Sequence, residues 1–248
     1  MDKLIYTAMT GAKHLMNRQA TVANNLANLN TTGFRAETMA FRVAPLLPGR
    51  SGEGQMTRYF AVESTPGFDA SSGPVQQTGR SLDVAIEGQG WLAVQADDGS
   101  EAYTRDGHFQ VNEAGALTTA GGRLVIGEGG PITVPADHTI LIGRDGTISA
   151  APAQNPSQIV QLGRLKLVNP EPTLMQKGSD GLVRLRDGGE ADADPTIQVA
   201  GGALEGSNVN AVEAMVSMIA LARQFDMQMQ MLKNAEQNGQ ASQRLLQT

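Results

Sequence analysis

Residues 204–246 read LEGSNVNAVEAMVSMIALARQFDMQMQMLKNAEQNGQASQRLL, and this stretch decides the fold of the chain. Its apolar side chains recur at alternating spacings of three and four, which places them on one side of a helix. Asn210, with Glu213 three residues later, is typical of a helix N-cap and its capping partner. A helix over about residues 211–245 would be roughly 50 Å long. Its stripe consists of Met215, Met218, Ala222, Phe225, Met229 and Leu232, widened by Val212, Val216 and Ile219.

An apolar stripe of this length needs a partner, and within the chain only the N-terminus shows a second pattern of this kind. Residues 1–29 carry a heptad-like seam with one polar break at Gln19. Asparagines crowd its end, and Gly33 suits the left-handed conformation of a helix stop. The two helices are expected to pair either with each other or with neighbouring subunits. The seam consists of Ile5, Ala8, Ala12, Leu15, Val22, Leu26 and Leu29.

The middle of the chain, residues 81–204, has the pattern of β structure. Leu82, Val84 and Ile86 alternate with other residues at the period of a half-buried strand. Asp-Gly pairs recur at 98–99, 106–107, 145–146, 180–181 and 187–188, and such pairs suit tight hairpins. The pattern predicts a mostly antiparallel sandwich or barrel-like domain. The predicted strands cover residues 91–95, 103–104, 109–111, 123–126, 132–134, 139–142, 158–168, 182–186 and 196–200.

The predicted fold class is α+β, with long, coiled-coil-like N- and C-terminal helices and a central, mostly antiparallel β domain. Four segments follow from the pattern: an N-terminal helix (1–33), an extended linker with short strands (34–80), the β domain (81–204) and a C-terminal helix (205–248). Prolines in the linker forbid a long helix there, and residues 56–63 could form a strand. The role of the loop at 45–60 stays open.

The composition excludes several classes of protein. A net charge of −6 and a pI near 5.1 argue against binding to nucleic acid. The chain has no cysteine, so disulfides and thiolate metal sites are excluded. No apolar run approaches the roughly 20 residues of a membrane span. Polar residues from Asp2 to Arg18 interrupt any signal-peptide core, so export would need a route without a cleaved signal.

No motif in the sequence indicates catalysis, and we expect no enzyme, cofactor or metal site. His14, His108 and His138 are far apart and lack metal-ligand spacing. The acidic stretch 187–194 could offer oxygen ligands to Ca²⁺, but it lacks the EF-hand pattern and is better explained as a solvated loop. A pair of carboxylates for glycoside hydrolysis is not indicated by any two residues.

Several motifs resemble the axial rod and hook proteins of the bacterial flagellum. The segment ANNLAN at 23–28, followed by Thr32-Gly33-Phe34, is similar to their asparagine-rich signature. SLDVAIEG at 81–88, Trp91 and YTRDG at 103–107 resemble their β-domain core, and LEGSNV at 204–209 with MVSMI at 215–219 resembles their C-terminal signature. The opening MDKLIYTAMTGA favours the proximal rod type. The motif residues are Asn24, Asn28, Gly33, Phe34, Gly88, Arg105, Asp106, Gly107 and Asn208.

The resemblance implies a structural, non-enzymatic subunit of the proximal rod within the periplasm. It implies export through the flagellar type III apparatus without a cleaved signal, and helical assembly with itself and other rod proteins into a drive shaft that transmits torque. It also implies that the terminal helices form a coiled-coil-like inner layer with the β domain outside it. The apolar residues of both terminal helices are then the predicted subunit interface. Alternatives are a distal rod protein of the same family, a secreted glycan-binding β module with a groove near Trp91 and Tyr103, and a cytoplasmic coiled-coil scaffold.

Overall fold

The computed structural model describes the backbone of residues 2–39, 41–45, 59–63, 67–136, 138–152 and 158–245, and the side chains of 9–39, 67–136, 138–152 and 158–237. The chain forms two compact units. The helical unit comprises Met1–Ala27, Glu37–Gly67 and Asn210–Thr248. The β unit comprises Asn28–Ala36 and Phe68–Val209. The predicted loop at 45–60 lies almost wholly outside the described residues.

Two long helices, α1 (Asp2–Ala27) and α2 (Ala211–Leu245), pack against each other in the helical unit. α2 begins where the sequence predicts, because the Asn210 Oδ1 atom accepts the N–H groups of Val212 (3.0 Å) and Glu213 (3.3 Å). The helices approach closely at Gly11, where an added Cβ would collide with the side chain of Gln228. The structure therefore shows pairing of the terminal helices within the chain, which is one of the two arrangements that the sequence left open.

Outside α1 and α2, the regular structure of the described residues consists almost entirely of short strands. The helical unit contains the antiparallel hairpin of β2 and β3. In the β unit, the largest sheet has the order β16-β7-β8-β18-β17, and a second has the order β13-β14-β15. Two-stranded ladders pair β9 with β10, β11 with β12, β6 with β19 and β5 with β20. The strands are β1 (Glu37–Thr38), β2 (Phe41–Pro45), β3 (Tyr59–Glu63), β4 (Gly67–Phe68), β5 (Val75–Gln77), β6 (Val84–Glu87), β7 (Trp91–Gln95), β8 (Glu101–Thr104), β9 (Phe109–Val111), β10 (Leu117–Thr119), β11 (Ile126–Gly127), β12 (Gly130–Pro131), β13 (His138–Ile142), β14 (Thr147–Pro152), β15 (Val160–Arg164), β16 (Leu167–Val168), β17 (Met175–Lys177), β18 (Val183–Leu185), β19 (Gln198–Gly201) and β20 (Ala203–Glu205).

The α+β class and the mostly antiparallel β structure are confirmed. The main core of the β unit is aliphatic, with Phe109 as its aromatic member. A smaller core contains Trp91 and Tyr103, which the glycan-binding alternative placed at a groove. Both side chains are almost fully buried, so they cannot line an open aromatic groove. The main core is built from Val84, Ile86, Leu92, Phe109, Leu117, Val125, Ile132, Val134, Ile140, Ile148, Leu165, Leu167, Ile197 and Val199.

Four local predictions in the β region differ from the structure. The predicted strand at 123–126 is a strand only from Ile126, because Leu124 and Val125 form isolated bridges. The Asp187-Gly188 pair follows β18 but joins no two paired strands. Residues 132–134 do not form a strand, and only an isolated bridge joins Thr133 to Ala116. The Asp106-Gly107 pair does not form a hairpin turn. Gly107 instead lies so close to the backbone of Val84 that an added Cβ would collide with its carbonyl oxygen, so close approach rather than positive φ requires glycine here. The pairs at 98–99, 145–146 and 180–181 do connect antiparallel strands, each with its glycine at positive φ.

Candidate functional site

The covered face of α2 differs from the stripe predicted from sequence. Its most buried residue is Leu221, with 4% of its surface exposed. Half-buried residues flank Leu221 at the spacings of a heptad repeat, and Gln228 among them lies beside Gly11 of α1. The half-buried members are Ala214, Met218, Phe225, Gln228, Leu232 and Ala235.

A second face of α2 is apolar and exposed. Val212, Val216 and Ile219 expose 71, 61 and 55% of their surfaces, and Met227 and Met231 continue the same side of the helix. The exposed Arg223 lies on this side between Ile219 and Met227. We call the five apolar residues the α2 ridge. Isolated exposed apolar residues are common on proteins, but a series along one helix side marks a contact surface.

The predicted interface residues of α2 therefore divide into two groups. Met218, Phe225 and Leu232 lie on the face that α1 covers, with Ala222 half-buried at its edge. Val212, Met215, Ile219 and Met229 are exposed. The expectation that one stripe holds all of these residues is wrong, because Met215 and Met229 are one position away from the buried series. Their part in contacts between subunits stays a prediction.

The described side chains of the N-terminal seam are all buried or half-buried. Ala12 is buried, and Leu15, Val22 and Leu26 are half-buried. Leu29 is half-buried in the β unit, because it follows the end of α1. Ile5 and Ala8 lie in α1, but their side chains are outside the described residues. Met9 and Met16, one heptad apart, are both more than half exposed.

A buried ionic cluster in the β unit joins the chain segment that follows α1 to the segment that precedes α2. Glu205 holds two arginines: its Oε1 lies 2.6 Å from Arg35 Nη2, and its Oε2 lies 2.7 Å from Arg105 Nη1. All three side chains are at most 2% exposed. The backbone N–H of Gly73 donates to the same carboxylate (2.7 Å), and Arg105 Nη2 donates to the carbonyl of Gly88 (2.7 Å).

Two positive charges facing one carboxylate leave the cluster with an excess positive charge. Burial lowers the pKa of the Arg105 guanidinium below its ordinary value; Glu205 opposes this shift, and the charge of Arg35 adds to it. Arg35 and Arg105 both lie over the ring of Trp91, with 5.8 and 5.6 Å from the guanidinium carbon to the ring centroid. The electron-rich ring face partly offsets the excess charge in a buried place.

Asparagine side chains fix backbone segments in each of the two units. Within the β unit, Asn208 Oδ1 accepts the N–H of Ala36 (2.7 Å), and its Nδ2 donates to the carbonyls of Asp69 and Ser71 (both 3.0 Å). Within the helical unit, Asn25 exchanges two hydrogen bonds with the backbone of Glu37, at 2.8 and 2.9 Å. Each side-chain amide thereby satisfies backbone N–H and C=O groups that would otherwise pair with a neighbouring β-strand.

Most of the predicted motif residues meet at this cluster. Gly33 is in the left-handed region (φ 66°), it lies against the backbone of Arg105, and its N–H donates to the carbonyl of Glu205 (2.8 Å). The ring of Phe34 lies 3.8 Å from Lys177 Nζ. Asp106 Oδ1 accepts the hydroxyl of Thr32 (2.7 Å). The motif residues gathered here are Gly33, Phe34, Gly88, Arg105, Asp106, Gly107 and Asn208.

Two motif residues lie away from the cluster, and the sequence reasoning missed others that belong to it. Asn24 is exposed on α1, and Asn28 bonds locally to Thr31. Arg35 and Glu205 were missed, although each is next to a motif residue or within a quoted motif. The available signal was a charged residue within a quoted motif, at Glu205, and directly after one, at Arg35.

The described surface of the β unit also contains an open cleft. This cleft of about 660 Å³ contains Lys166, which pairs with Glu101 (2.7 Å) and lies 3.7 Å from Glu190. Among the described residues, including those at 187–194, no group of three or more His, Asp or Glu side chains is placed to hold a metal ion. Neither α1 nor α2, over its described residues, is apolar enough along its length to cross a membrane.

Comparison with known proteins identifies the family. Three family models match: "Flagella basal body rod protein" at residues 5–35, "Flagellar hook protein FlgE/F/G D1 domain" at 85–150, and "Flagellar basal body rod FlgEFG protein C-terminal" at 200–245. The flagellar basal-body rod protein FlgF of Salmonella typhimurium is 48% identical over 99% of both chains. FlgF of Escherichia coli is 47% identical over the same share, and FlgF of Caulobacter vibrioides is 32% identical over 99% of this chain and 98% of that one. This chain belongs to the FlgF family of flagellar basal-body rod proteins.

Proposed function

We propose that this structural subunit of the flagellar basal-body rod assembles helically through α1 and α2. In this proposal the paired helices form a coiled-coil-like inner layer of the proximal rod, and the β units lie outside that layer. The rod passes through the periplasm and transmits torque as a drive shaft. The subunit reaches it through the flagellar type III apparatus without a cleaved signal, and it contacts itself and other rod proteins.

The α2 ridge is the observation that carries this proposal. α1 already covers the face around Leu221, so the ridge is a second apolar face that pairing within the chain leaves exposed. A helix that is apolar on more than one side is normally surrounded by several neighbours. A packed layer of terminal helices would supply them.

The contacts of the buried charged groups in the β unit agree with a non-catalytic role. Its buried charged groups are used within the structure: Glu205 binds two arginines, and Asp83 contacts Arg80 and His108 (3.1 and 3.4 Å). Such networks fix chain segments relative to one another, and a subunit that transmits torque needs this rigidity. The same contacts between distant segments are expected in a distal rod protein, so position along the rod rests on the N-terminal motif alone.

The test is a charge placed on the α2 ridge in cells that lack the native subunit. Ile219→Asp is expected to abolish rod assembly and motility, because assembly would bury an unpaired carboxylate. Ile219→Leu keeps an apolar side chain at the same position and is expected to leave motility intact. Circular dichroism of both purified variants checks that the fold persists. Normal motility of the Ile219→Asp strain would contradict the proposal.

A further inference from the structure

We infer that the α2 ridge of one subunit is the docking surface for α1 of a second copy, at the same level and in antiparallel direction. This inference rests on the proposed function and adds the identity of the partner helix and its register. It concerns two exposed helix faces of the helical unit, one on α1 and one on α2, which differ in the size of their apolar side chains.

The two helices of one copy run antiparallel. Gly33 and Glu205, which follow α1 and precede α2, are hydrogen-bonded to each other (2.8 Å). Gly11 lies sixteen residues before the end of α1, and its neighbour Gln228 lies seventeen residues after the start of α2. These nearly equal lengths fix which residues of the two helices are level with one another.

α1 also exposes a continuous side. Met9, Met16, Ala20, Ala23 and Ala27 recur at spacings of three, four and seven, and all are exposed. We call these residues the α1 ridge. It runs over residues 9–27 and the α2 ridge over residues 212–231, so the two ridges are almost equal in length. They cover each other fully only when neighbouring copies have little offset along the helix axis.

Side-chain size agrees with that register. Ala20, Ala23 and Ala27 lie level with Ile219, Val216 and Val212 respectively. Branched side chains of one copy would therefore enter the space above the alanines of the next copy. At the other end of the ridges, Met9 of α1 is level with Met231 of α2, and methionine adapts well to irregular apolar contacts.

The charged residues beside the two ridges agree with the same register. Lys13 flanks the α1 ridge and is exposed, and the residue level with it on α2 is the exposed Asp226. Contact between two α2 ridges of copies in the same orientation would instead place Arg223 beside Arg223, which is unfavourable. Contact between two different surfaces of one chain does not close on itself in a dimer, so it can propagate as a helical assembly.

Cysteine cross-linking tests the pairing, because the chain has no cysteine of its own. Cells express two full-length chains, one with Ala23→Cys and the other with Val216→Cys, and isolated basal bodies are oxidised. We expect a disulfide-linked dimer only when both variants are present. A Val216→Cys dimer formed without the other variant, or no mixed dimer in motile cells, would overturn the inference.

A charge exchange provides a second readout. Lys13→Asp is expected to reduce motility, and adding Asp226→Lys to the same chain is expected to restore it. If the single variant impairs motility and the exchange does not restore it, the register is wrong. Failure of the proposed function gives a different result, because the cysteine chains would then be absent from isolated basal bodies altogether.

Discussion

Arg35 and Glu205 are 170 positions apart in the chain, yet their side chains form a buried ion pair with 2.6 Å between Nη2 and Oε1. Arg105 approaches the other carboxylate oxygen, so one glutamate joins three segments of the β unit. Because these segments include those that follow α1 and precede α2, the pair holds together the places where the chain enters and leaves the β unit. We therefore regard Glu205 as a central stabilising residue of the fold.

Replacement of this carboxylate should be costly. Glu205→Gln leaves two buried guanidinium groups without a counter-charge, and we expect a loss of about 3–5 kcal/mol in the free energy of unfolding. The matched control is Glu87→Gln, which removes the carboxylate of the exposed pair with Arg144 (3.1 Å) and should change the same quantity by less than about 1 kcal/mol. Urea denaturation measures both. Equal effects would show that the cluster contributes little.

Gly33 should tolerate no side chain. Gly33→Ala adds a Cβ to a residue with positive φ and pushes it into the backbone of Arg105, so we expect a loss of about 3 kcal/mol or more. Gly99→Ala is the control. Gly99 also has positive φ, but nothing lies within 4 Å of its added Cβ, so only backbone strain of about 1 kcal/mol is expected. Similar losses for the two variants would contradict the close contact with Arg105.

The α1–α2 contact should depend on Leu221 rather than on the exposed methionines. Leu221→Ala is expected to destabilise the paired helices by about 2–3 kcal/mol, because Leu221 is the most buried residue of the described part of α2. Met227→Ala should change the stability of the isolated subunit by no more than about 0.5 kcal/mol, since its side chain is exposed. Thermal unfolding followed by helical circular dichroism distinguishes the two. A larger effect of Met227→Ala would show that the covered face is wrongly assigned.

Acid should weaken the β unit through its turn aspartates. Hydrogen bonds from the hydroxyls of Ser100, Thr147 and Thr196 lower the pKa values of Asp98, Asp145 and Asp194, and the Arg184 guanidinium lowers that of Asp180. Because these pKa values are lower in the folded state, the carboxylates contribute stability above the ordinary value of 3.8 and lose it as the pH falls through and below that value.

The corresponding measurement is the free energy of unfolding between about pH 5 and pH 2. Stability is expected to decrease throughout this range, and Asp180→Asn should make the decrease smaller, because it removes one of the contributing carboxylates. A decrease of unchanged size in Asp180→Asn would show that its pair with Arg184 (2.7 Å) contributes nothing to acid sensitivity.

Local signals allowed much of this architecture to be predicted from sequence. The Asn210 cap fixed the start of α2, and the apolar run at Trp91–Gln95 gave the bounds of β7 correctly. The rotation of α2 could not be predicted, because methionines and aliphatic residues lie on several of its sides. Two overlapping series with spacings of three and four are then possible, and only contact with α1 selects the one that contains Leu221.

The ionic cluster could not be predicted from local sequence patterns, for a different reason. Arg35 and Glu205 have no partner near them in sequence, and pairing across 170 positions follows from the arrangement of the strands. The motif residues Gly33, Arg105 and Asn208 were identified only through resemblance, which did not say that they meet. The structure supplies the reason, since each of them contacts a segment that the cluster joins.

The most direct test of helix-mediated assembly is methionine oxidation by hydrogen peroxide, followed by mass spectrometry, on the isolated subunit and on assembled rods. Met215, Met227 and Met231 are more than half exposed, whereas Met175 is 1% exposed and serves as an internal control. Oxidation of a methionine requires access of the oxidant to its side chain. We predict that Met227 and Met231 oxidise readily in the subunit and are protected in the rod, while Met175 stays protected in both. Equal oxidation of the ridge methionines in the subunit and in the rod would contradict assembly through α2.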